Sequence, residues 1–347
     1  MVSYFRSFGS VFLFFASGLI SSNSAAAQYV PPSGFIQTVA TAPIKTAEFS
    51  CPPTPEPFTG ALRFRSKYEG SDAARATLNR DAERAYRDAT KNVTATQRLV
   101  SKLVARYART GDRQVAQCAI QVLNAWADAG ALTSTQTNHT GKAVRKWALA
   151  SFSSSWLQLK FAQTRPLNDE PQRAAQVERW LSQLGTLTLS DWEDLPLSRV
   201  NNHSYWAAWA LIATAVVTGR DDLFTRSLTV FRTALRQVDA RGFLPNELKR
   251  RQRALAYHNY ALQPLVMIAL FARANDAELS PTENAALRRL VQRVLDGLDD
   301  PAAFAAATGV KQDVSFMQNP GNLTWIKSCR TLSFCAPQQG TKQDAGE

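Results

Sequence analysis

The apolar positions of this chain recur at spacings of three and four residues from about Ser71 onward, with few alternating β-branched runs. This period is typical of amphipathic helices that bury one face. It predicts helices over residues 72–89, 94–109, 112–129, 141–162, 171–184, 203–218, 221–238, 250–274 and 282–297. We therefore expect an all-α fold in which short connections make neighbouring helices antiparallel. Such helical hairpins can close into a ring with a groove at one end or stack as an open solenoid, and the pattern alone does not separate the two.

Two segments interrupt the helical pattern. Residues 239–247 (DARGFLPNE) carry glycine and proline between two strong helices, so the chain turns there. Residues 64–72 (FRSKYEGSD) place two cations before an aromatic residue and end near a glycine. This second segment has two interpretations, a mobile lid over a groove or an ordinary loop that ends in a serine or aspartate helix cap.

The first 27 residues have the three parts of a secretory signal peptide. Arg6 precedes an apolar stretch from Val11 to Ile20, and the small residues Ala25 to Ala27 follow it. The stretch is shorter than the roughly 20 apolar residues that span a bilayer. We therefore expect cleavage after Ala27 and an exported protein that is not embedded in a membrane, with an uncleaved anchor as the less favoured alternative.

The rest of the chain shows no linker that would divide it. Residues 28–337 are therefore predicted to form one domain, a monomer, and residues 338–347 a disordered tail. The longest remaining apolar run, Trp206 to Val217, is also too short for a membrane span and predicts a buried helix.

Four cysteines follow the predicted cleavage point, and an even number in an exported protein favours disulfides. Three pairings are possible. Cys329 and Cys335 are close in sequence, which favours their pairing and leaves Cys51 to tie the N-terminal arm to the helix that carries Cys118. A metal site is less favoured, because the chain has no CxxC pair and only three histidines.

The charge of the chain narrows the class of its partner. The formal net charge is +12, so the protein would attract polyanions at neutral pH. An exported protein seldom meets nucleic acid, and the usual nucleic-acid-binding signatures do not occur in this sequence. An acidic polysaccharide is therefore the favoured partner, and a basic surface that serves only solubility is the alternative.

Two segments carry the residue types for a specific chemistry. Asn202 and His203 begin a predicted helix, where backbone N–H groups are free. Arg250 and Tyr257 are seven positions apart on another predicted helix and are expected to share a face, with Arg253 one turn away. A carboxamide, an imidazole, a guanidinium and a phenol can remove a proton from carbon beside a carboxylate without a metal or an organic cofactor.

Each of these residues also has a plainer structural explanation. The doublet Asn201-Asn202 would form a turn and a helix cap, and His203 would be a capping or packing residue. Tyr257 and Trp206 would be core aromatics, and Arg250 belongs to a basic run that could be solvated. The pattern of the residues alone therefore does not compel a function.

Four segments together resemble the periplasmic mannuronate-specific alginate lyases of polysaccharide lyase family five. They are KYEGSD at 67–72, GKAVRKW at 141–147, NNHSYW at 201–206 and NELKRRQRALAYHNY at 246–260. The resemblance implies an incomplete (α/α)6 toroid and a periplasmic location. It also implies cleavage of poly-β-D-mannuronate by β-elimination without a cofactor, which leaves an unsaturated uronate at the new non-reducing end. Such proteins belong to the machinery that makes and exports alginate, so contact with that machinery is a further expectation.

The same resemblance assigns roles to residues of this chain. Arg250 and Asn202 would neutralise the substrate carboxylate, and Tyr257 would protonate the leaving O4. His203 would either help to neutralise the carboxylate or accept the C5 proton. Tyr257 could also serve as the base, provided that nearby cations lower its pKa. The implied substrate-binding residues are Lys67, Tyr68, Arg145, Trp147, Trp206 and Arg253.

Two other functions remain open at this point. A glycoside hydrolase on a similar helical barrel would need two opposed carboxylates, for which the candidates are Asp191, Glu193, Asp194 and Glu247. A protein without catalytic activity would bind or escort an exported polyuronate within a secretion assembly.

Overall fold

The computed structural model describes residues 29–41, 49–72, 74–330 and 332. The predicted signal peptide and the tail 338–347 lie outside these residues, so both stay predictions. Over the described residues the protein is helical, and its one β-type contact there is a bridge between Leu62 and Thr137. The all-α prediction is therefore confirmed.

Twelve α-helices and five short 3-10 turns occupy the described part of the chain. They are Arg80–Ala89 (α1), Lys91–Thr110 (α2), Arg113–Asp128 (α3), His139–Lys160 (α4), Pro171–Trp192 (α5), Asn202–Thr218 (α6), Asp221–Gln237 (α7), Pro245–Leu248 (α8), Ala254–Ala274 (α9), Pro281–Asp299 (α10), Ala302–Thr308 (α11) and Trp325–Cys329 (α12). None of these helices is long and apolar enough to cross a membrane.

The longer helices form two layers of hairpins. Helices α2, α4, α6 and α9 pack side by side in one layer, and α3, α5, α7 and α10 pack against them as the second layer. Each helix of the first layer is followed in the chain by its partner in the second. Helix α6 lies between α4 and α9 and is buried almost all round, which confirms the predicted buried helix at residues 206–217.

Three helix boundaries differ from the sequence prediction by four residues or more. Helix α1 begins at Arg80 because the Asn79 side chain caps it by accepting a hydrogen bond from the Ala82 N–H at 3.0 Å. The expected serine or aspartate cap at the end of residues 64–72 is therefore wrong. Helix α9 begins at Ala254 because Arg251 has a φ of 49°, which a right-handed α-helix excludes. Helix α5 continues past residue 184 to Trp192.

The segment before α1 is held against the start of α4. The Asn138 side chain accepts a hydrogen bond from the Gly141 N–H at 2.9 Å and donates one to the Phe64 carbonyl at 2.9 Å. A Cβ at Gly141 would lie 1.7 Å from the Leu62 carbonyl oxygen, so only glycine allows this approach. The contact places residues 66–72 and Arg75 beside the N-terminal end of α4.

One predicted disulfide is confirmed. Cys51 and Cys118 are bonded, with their Cα atoms 5.6 Å apart, and the bond ties the N-terminal arm to α3. The other predicted pairing, Cys329 with Cys335, stays a prediction because Cys335 lies outside the described residues.

His258 is a core residue whose protonation opposes folding. It is fully buried, its Nε2 accepts from the Leu244 N–H at 2.8 Å, and its Nδ1 lies 2.8 Å from the Ala254 carbonyl oxygen. Burial lowers its pKa from 6.5 to about 4. The unfolded chain therefore binds a proton before the folded chain does as the pH falls. The stability that neutral His258 supplies is complete above pH 6.5 and is lost as the pH falls toward 4.

We expect this titration to remove about 3 kcal/mol from the free energy of unfolding between pH 7 and pH 4. Urea unfolding across this range measures the loss. A His258→Gln variant lacks the titration and should show a shallower dependence on pH, whatever its starting stability. Equal pH dependence in the two proteins would contradict the assignment.

Candidate active site

A cavity of about 470 Å³ opens where three helices of the first layer begin. Its walls come from residues 66–68 and Arg75, from α1, from the N-terminal turns of α4, α6 and α9, and from the segment after α11. Helix N-termini carry partial positive charge and free N–H groups, which favour an anion. The predicted residues that line the cavity are Lys67, Tyr68, Trp147, Asn202, His203, Arg250, Arg253 and Tyr257.

The charges at this cavity have one sign. Lys67, Arg75, Arg250 and Arg253 line it, and no aspartate or glutamate is found among the described residues of its wall. Across the described parts of the chain, no group of three or more His, Cys, Asp or Glu side chains comes together as a metal site requires. The cavity is therefore suited to an anionic ligand.

Two guanidinium groups lie against the ring of Tyr257. The Cζ atom of Arg250 is 4.7 Å from the ring centroid and that of Arg253 is 5.0 Å from it. The predicted proximity is confirmed, but the predicted reason is wrong. Arg250 precedes α9 and is not on the same helix as Tyr257. The turn at residues 250–253 brings its guanidinium back over the ring.

The pKa of Tyr257 is raised, whereas its use as the base was conditional on a lowered pKa. Burial raises this pKa, and the lowering effect of Arg253 and Arg250 does not overcome the cost of removing a phenolate from water. The phenol is therefore protonated at neutral pH. It is available as an O–H donor.

Asn202 is oriented by a buried carboxylate. Oε1 of Glu247 accepts a hydrogen bond from the Asn202 backbone N–H at 2.6 Å, and both Glu247 oxygens accept from the Asn202 Nδ2 at 3.1 and 3.0 Å. Burial raises the pKa of Glu247, while its bonds to Asn202 lower it. Glu247 lies behind Asn202 and does not line the cavity.

His203 is held from behind by Lys146. Nζ of Lys146 lies 2.9 Å from Nδ1 of His203 and 2.7 Å from its carbonyl oxygen. The His203 ring stacks on Trp192 with centroids 5.5 Å apart and an interplanar angle of 3°. Burial, and next the charge of Lys146, lower the pKa of His203 well below 6.5, so its imidazole is neutral at pH 7.

Two predicted substrate-binding residues do not line the cavity. Arg145 is buried and donates to the Leu132 carbonyl at 3.0 Å, to Asp191 at 2.6 Å and to the Ser134 carbonyl. These bonds turn its guanidinium into the protein, so its predicted role in contacting substrate is corrected to a structural one. Trp206 stacks on Tyr260 with centroids 5.1 Å apart, and it is Tyr260 that faces the cavity.

Four residues of this site were not predicted from the sequence, namely Arg75, Lys146, Glu247 as a support for Asn202, and Tyr260. Lys146 had one signal, its position within the GKAVRKW segment that carries the family resemblance. Glu247 was considered only as a hydrolase carboxylate. Tyr260 lies three residues after Tyr257 on α9, and both line the cavity.

Fold and site together define a class of protein, in which hairpins of helices surround a cationic cavity that holds a phenol and an imidazole. Residues 63–304 match the family model described as alginate lyase. The chain is 50% identical over 323 residues to an alginate lyase of Pseudomonas syringae pv. syringae, covering 92% of this chain and 85% of that protein. It is 49% identical to an alginate lyase of Pseudomonas paraeruginosa, covering 93% and 88%. The chain belongs to the alginate lyase family.

Solved structures show the same fold. Alginate lyase A1-III from Sphingomonas species A1 superposes with a TM-score of 0.68 at 22% identity, covering 82% of this chain and 79% of that one. A tetrasaccharide complex of alginate lyase A1-III gives a TM-score of 0.69 at 21% identity, covering 84% and 80%. The two layers of hairpins therefore form an (α/α) toroid and not an open solenoid.

Proposed function

We propose that this protein is an exported lyase that cleaves the poly-β-D-mannuronate of alginate by β-elimination. Family membership supports lyase action on alginate. The observation that carries the chemistry is the contact of the Arg250 guanidinium with the Tyr257 ring, in a cavity whose described wall holds four cations and no carboxylate.

The first step of the proposed reaction is neutralisation of the substrate carboxylate. Removal of the C5 proton places a second negative charge beside this carboxylate unless cations and hydrogen bonds stabilise it. Arg250 is suited to bidentate pairing with a carboxylate, and Asn202 and His203 lie at the same wall at the N-terminus of α6. Glu247 holds Asn202 in place for this contact.

The second step transfers the protons. The C5–H bond breaks, its electron pair forms the C4–C5 double bond, and the C4–O4 bond breaks with the pair remaining on O4. Tyr257 gives its proton to O4, which its protonated state at neutral pH permits. In mannuronate the C5 proton and O4 lie on the same side of the ring. A single group on that side can therefore take the C5 proton and pass it to O4, as Tyr257 would do from its phenolate form. In the alternative, His203 takes the C5 proton and the Tyr257 phenol gives its own proton to O4.

The rest of the cavity would position the polymer. Lys67 and Arg253 lie 5.3 and 5.2 Å from the centroid of the Tyr68 ring, so cations and an aromatic surface occur together at the entrance. Trp147 provides a second aromatic wall. We propose that these residues bind uronate units on either side of the bond that breaks, and that residues 64–72 serve as the lid.

The glycoside hydrolase alternative lacks its required carboxylates. Asp191 pairs with the buried Arg145 at 2.6 Å, and Glu247 is fully buried behind Asn202. Glu193 and Asp194 are also outside the cavity wall. Two opposed carboxylates at the scissile bond are therefore not available among the described residues of this cavity.

We further propose that the protein acts in the periplasm, where it removes polymer that strays from the export machinery. The signal peptide features of residues 1–27 and the basic charge of the chain support this location. Cell fractionation with an antibody against the protein tests the location independently of activity.

The activity is tested by incubating the protein without residues 1–27 with polymannuronate, polyguluronate and hyaluronate in the presence of a chelator. We expect unsaturated uronate, which absorbs ultraviolet light, to form fastest from polymannuronate. New reducing ends without this absorbance would indicate a hydrolase. Binding without depolymerisation would instead support the escort function.

A further inference from the structure

Lys146 is a buried cation that the reaction described above does not use. It lies in α4 with no exposed surface, and within the described residues no carboxylate forms an ion pair with it. Burial lowers its pKa well below the ordinary lysine value. A lysine in such a position requires other groups that stabilise its charge and accept its hydrogen bonds.

The surroundings of Lys146 supply three acceptors. Nζ lies 2.9 Å from Nδ1 of His203, 2.7 Å from the carbonyl oxygen of the same residue, and 3.7 Å from the centroid of the Trp192 ring. The centroid of the Trp147 ring is 5.4 Å from the same Nζ atom. Indole faces attract an ammonium group, and an ammonium has three N–H donors and no acceptor. The geometry therefore suits a charged lysine that donates to His203 twice.

From this geometry we propose that Lys146 is a positioning residue that fixes the tautomer of His203. Because the ammonium donates to Nδ1, the neutral imidazole carries its proton on Nε2. Trp192, stacked on the ring, holds its plane. With Nδ1 and the carbonyl engaged by Lys146, Nε2 is the ring nitrogen left to face the cavity that His203 lines.

The inference rests on the proposed lyase function and sharpens it. An Nε2–H group donates a hydrogen bond to the substrate carboxylate and cannot accept the C5 proton. His203 is then a donor that stabilises the developing charge. The acceptor of the C5 proton is Tyr257, which enters this step as its minor phenolate form and passes the proton that it takes from C5 to O4. In the opposite arrangement a neutral Lys146 amine accepts a hydrogen bond from Nδ1–H, which would leave Nε2 without a proton and would make His203 the base.

The tautomer is measurable without substrate. In the full folded protein labelled with 15N at histidine, the ring nitrogens of His203 are observed at pH 7 by long-range proton–nitrogen correlation, with assignment from the loss of these signals in His203→Gln. We expect a bare Nδ1 and a protonated Nε2. A proton on Nδ1, in either a neutral or a cationic ring, would overturn the proposal. Because this measurement needs no turnover, absence of activity on polymannuronate would contradict the proposed function alone.

A pair of variants on α4 tests the role of the contact. Lys146→Met keeps an unbranched side chain that matches the lysine stem, and it removes both hydrogen bonds to His203. We expect a mixture of His203 tautomers and a kcat about 10²-fold lower, the cost of a misplaced reacting group. Lys142→Met, which removes a partly exposed cation 3.4 Å from Asp191 one turn earlier, is the control and should keep the wild-type kcat.

Unchanged kcat together with an unchanged His203 tautomer in Lys146→Met would refute the positioning role. Circular dichroism and urea unfolding establish whether each variant is folded. If Lys146→Met does not fold, the tautomer of the wild-type protein still decides the proposal.

Discussion

Replacement of Tyr257 by phenylalanine is expected to lower kcat on polymannuronate by about 10²- to 10⁴-fold, the contribution of a side chain that transfers protons in the transition state. The variant keeps the ring against which Arg250 and Arg253 lie, 4.7 and 5.0 Å from its centroid, so the cavity wall is preserved. It loses only the hydroxyl. O4 then leaves without a proton donor, and its departure becomes the slow step.

The initial rate of unsaturated uronate formation at saturating polymer measures this effect. Tyr260→Phe is the matched control, because Tyr260 lies on the same helix and lines the same cavity, and its ring stacks on Trp206. We expect Tyr260→Phe to lose much less activity than Tyr257→Phe. Equal losses in the two variants would show that Tyr257 has no special role in proton transfer.

The prediction for Tyr257 also illustrates a limit of the sequence. The presence of cations near its ring was predicted, and a lowered pKa was the condition for its use as the base. The structure confirms the cations, but burial has the larger effect and raises the pKa. The sign of such a shift depends on how much water reaches the hydroxyl, and this is a property of the whole cavity.

The fold was predictable where the signal is local. The spacing of apolar residues predicted the long helices because residues three and four positions apart lie on the same face of a helix. The ring and the solenoid were not separable, because closure of the hairpins depends on small angles summed over the whole chain. The predicted ends of two helices were wrong at particular residues. The Asn79 cap and the positive φ of Arg251 set the starts of α1 and α9, because local backbone conformation overrides the apolar pattern there.

Two adjacent residues show why the site was only partly predictable. Arg145 was expected to contact substrate and Lys146 was not singled out, yet Arg145 binds Asp191 and Lys146 binds His203. Neighbours on a helix point about 100° apart, and the partners lie 46 and 57 residues further along the chain. These long-range contacts decide which of the two buried cations lies beside an active-site residue.

The second large effect is expected for Arg250. Replacement by methionine removes the guanidinium beside Tyr257 and leaves the substrate carboxylate without its charged partner. Loss of one group that stabilises a developing anion lowers kcat by about 10²- to 10³-fold. Since the carboxylate is charged before the reaction as well as during it, KM for polymannuronate should also rise. The two constants are measured from the initial rate of absorbance increase over a range of polymer concentrations.

Arg251→Met separates this specific role from the general attraction of a basic protein for a polyanion. Arg251 is the next residue, is exposed, and does not line the cavity, so the variant removes the same formal charge from the same turn. We expect Arg251→Met to keep kcat and to raise KM only slightly at low salt, because exposed charges act through a screened long-range field. If both variants lose kcat equally, the effect of Arg250 is that of net charge or of the turn, and the assignment of the carboxylate to Arg250 is wrong. If Arg250→Met alone loses kcat, pairing with the carboxylate in the transition state accounts for the loss.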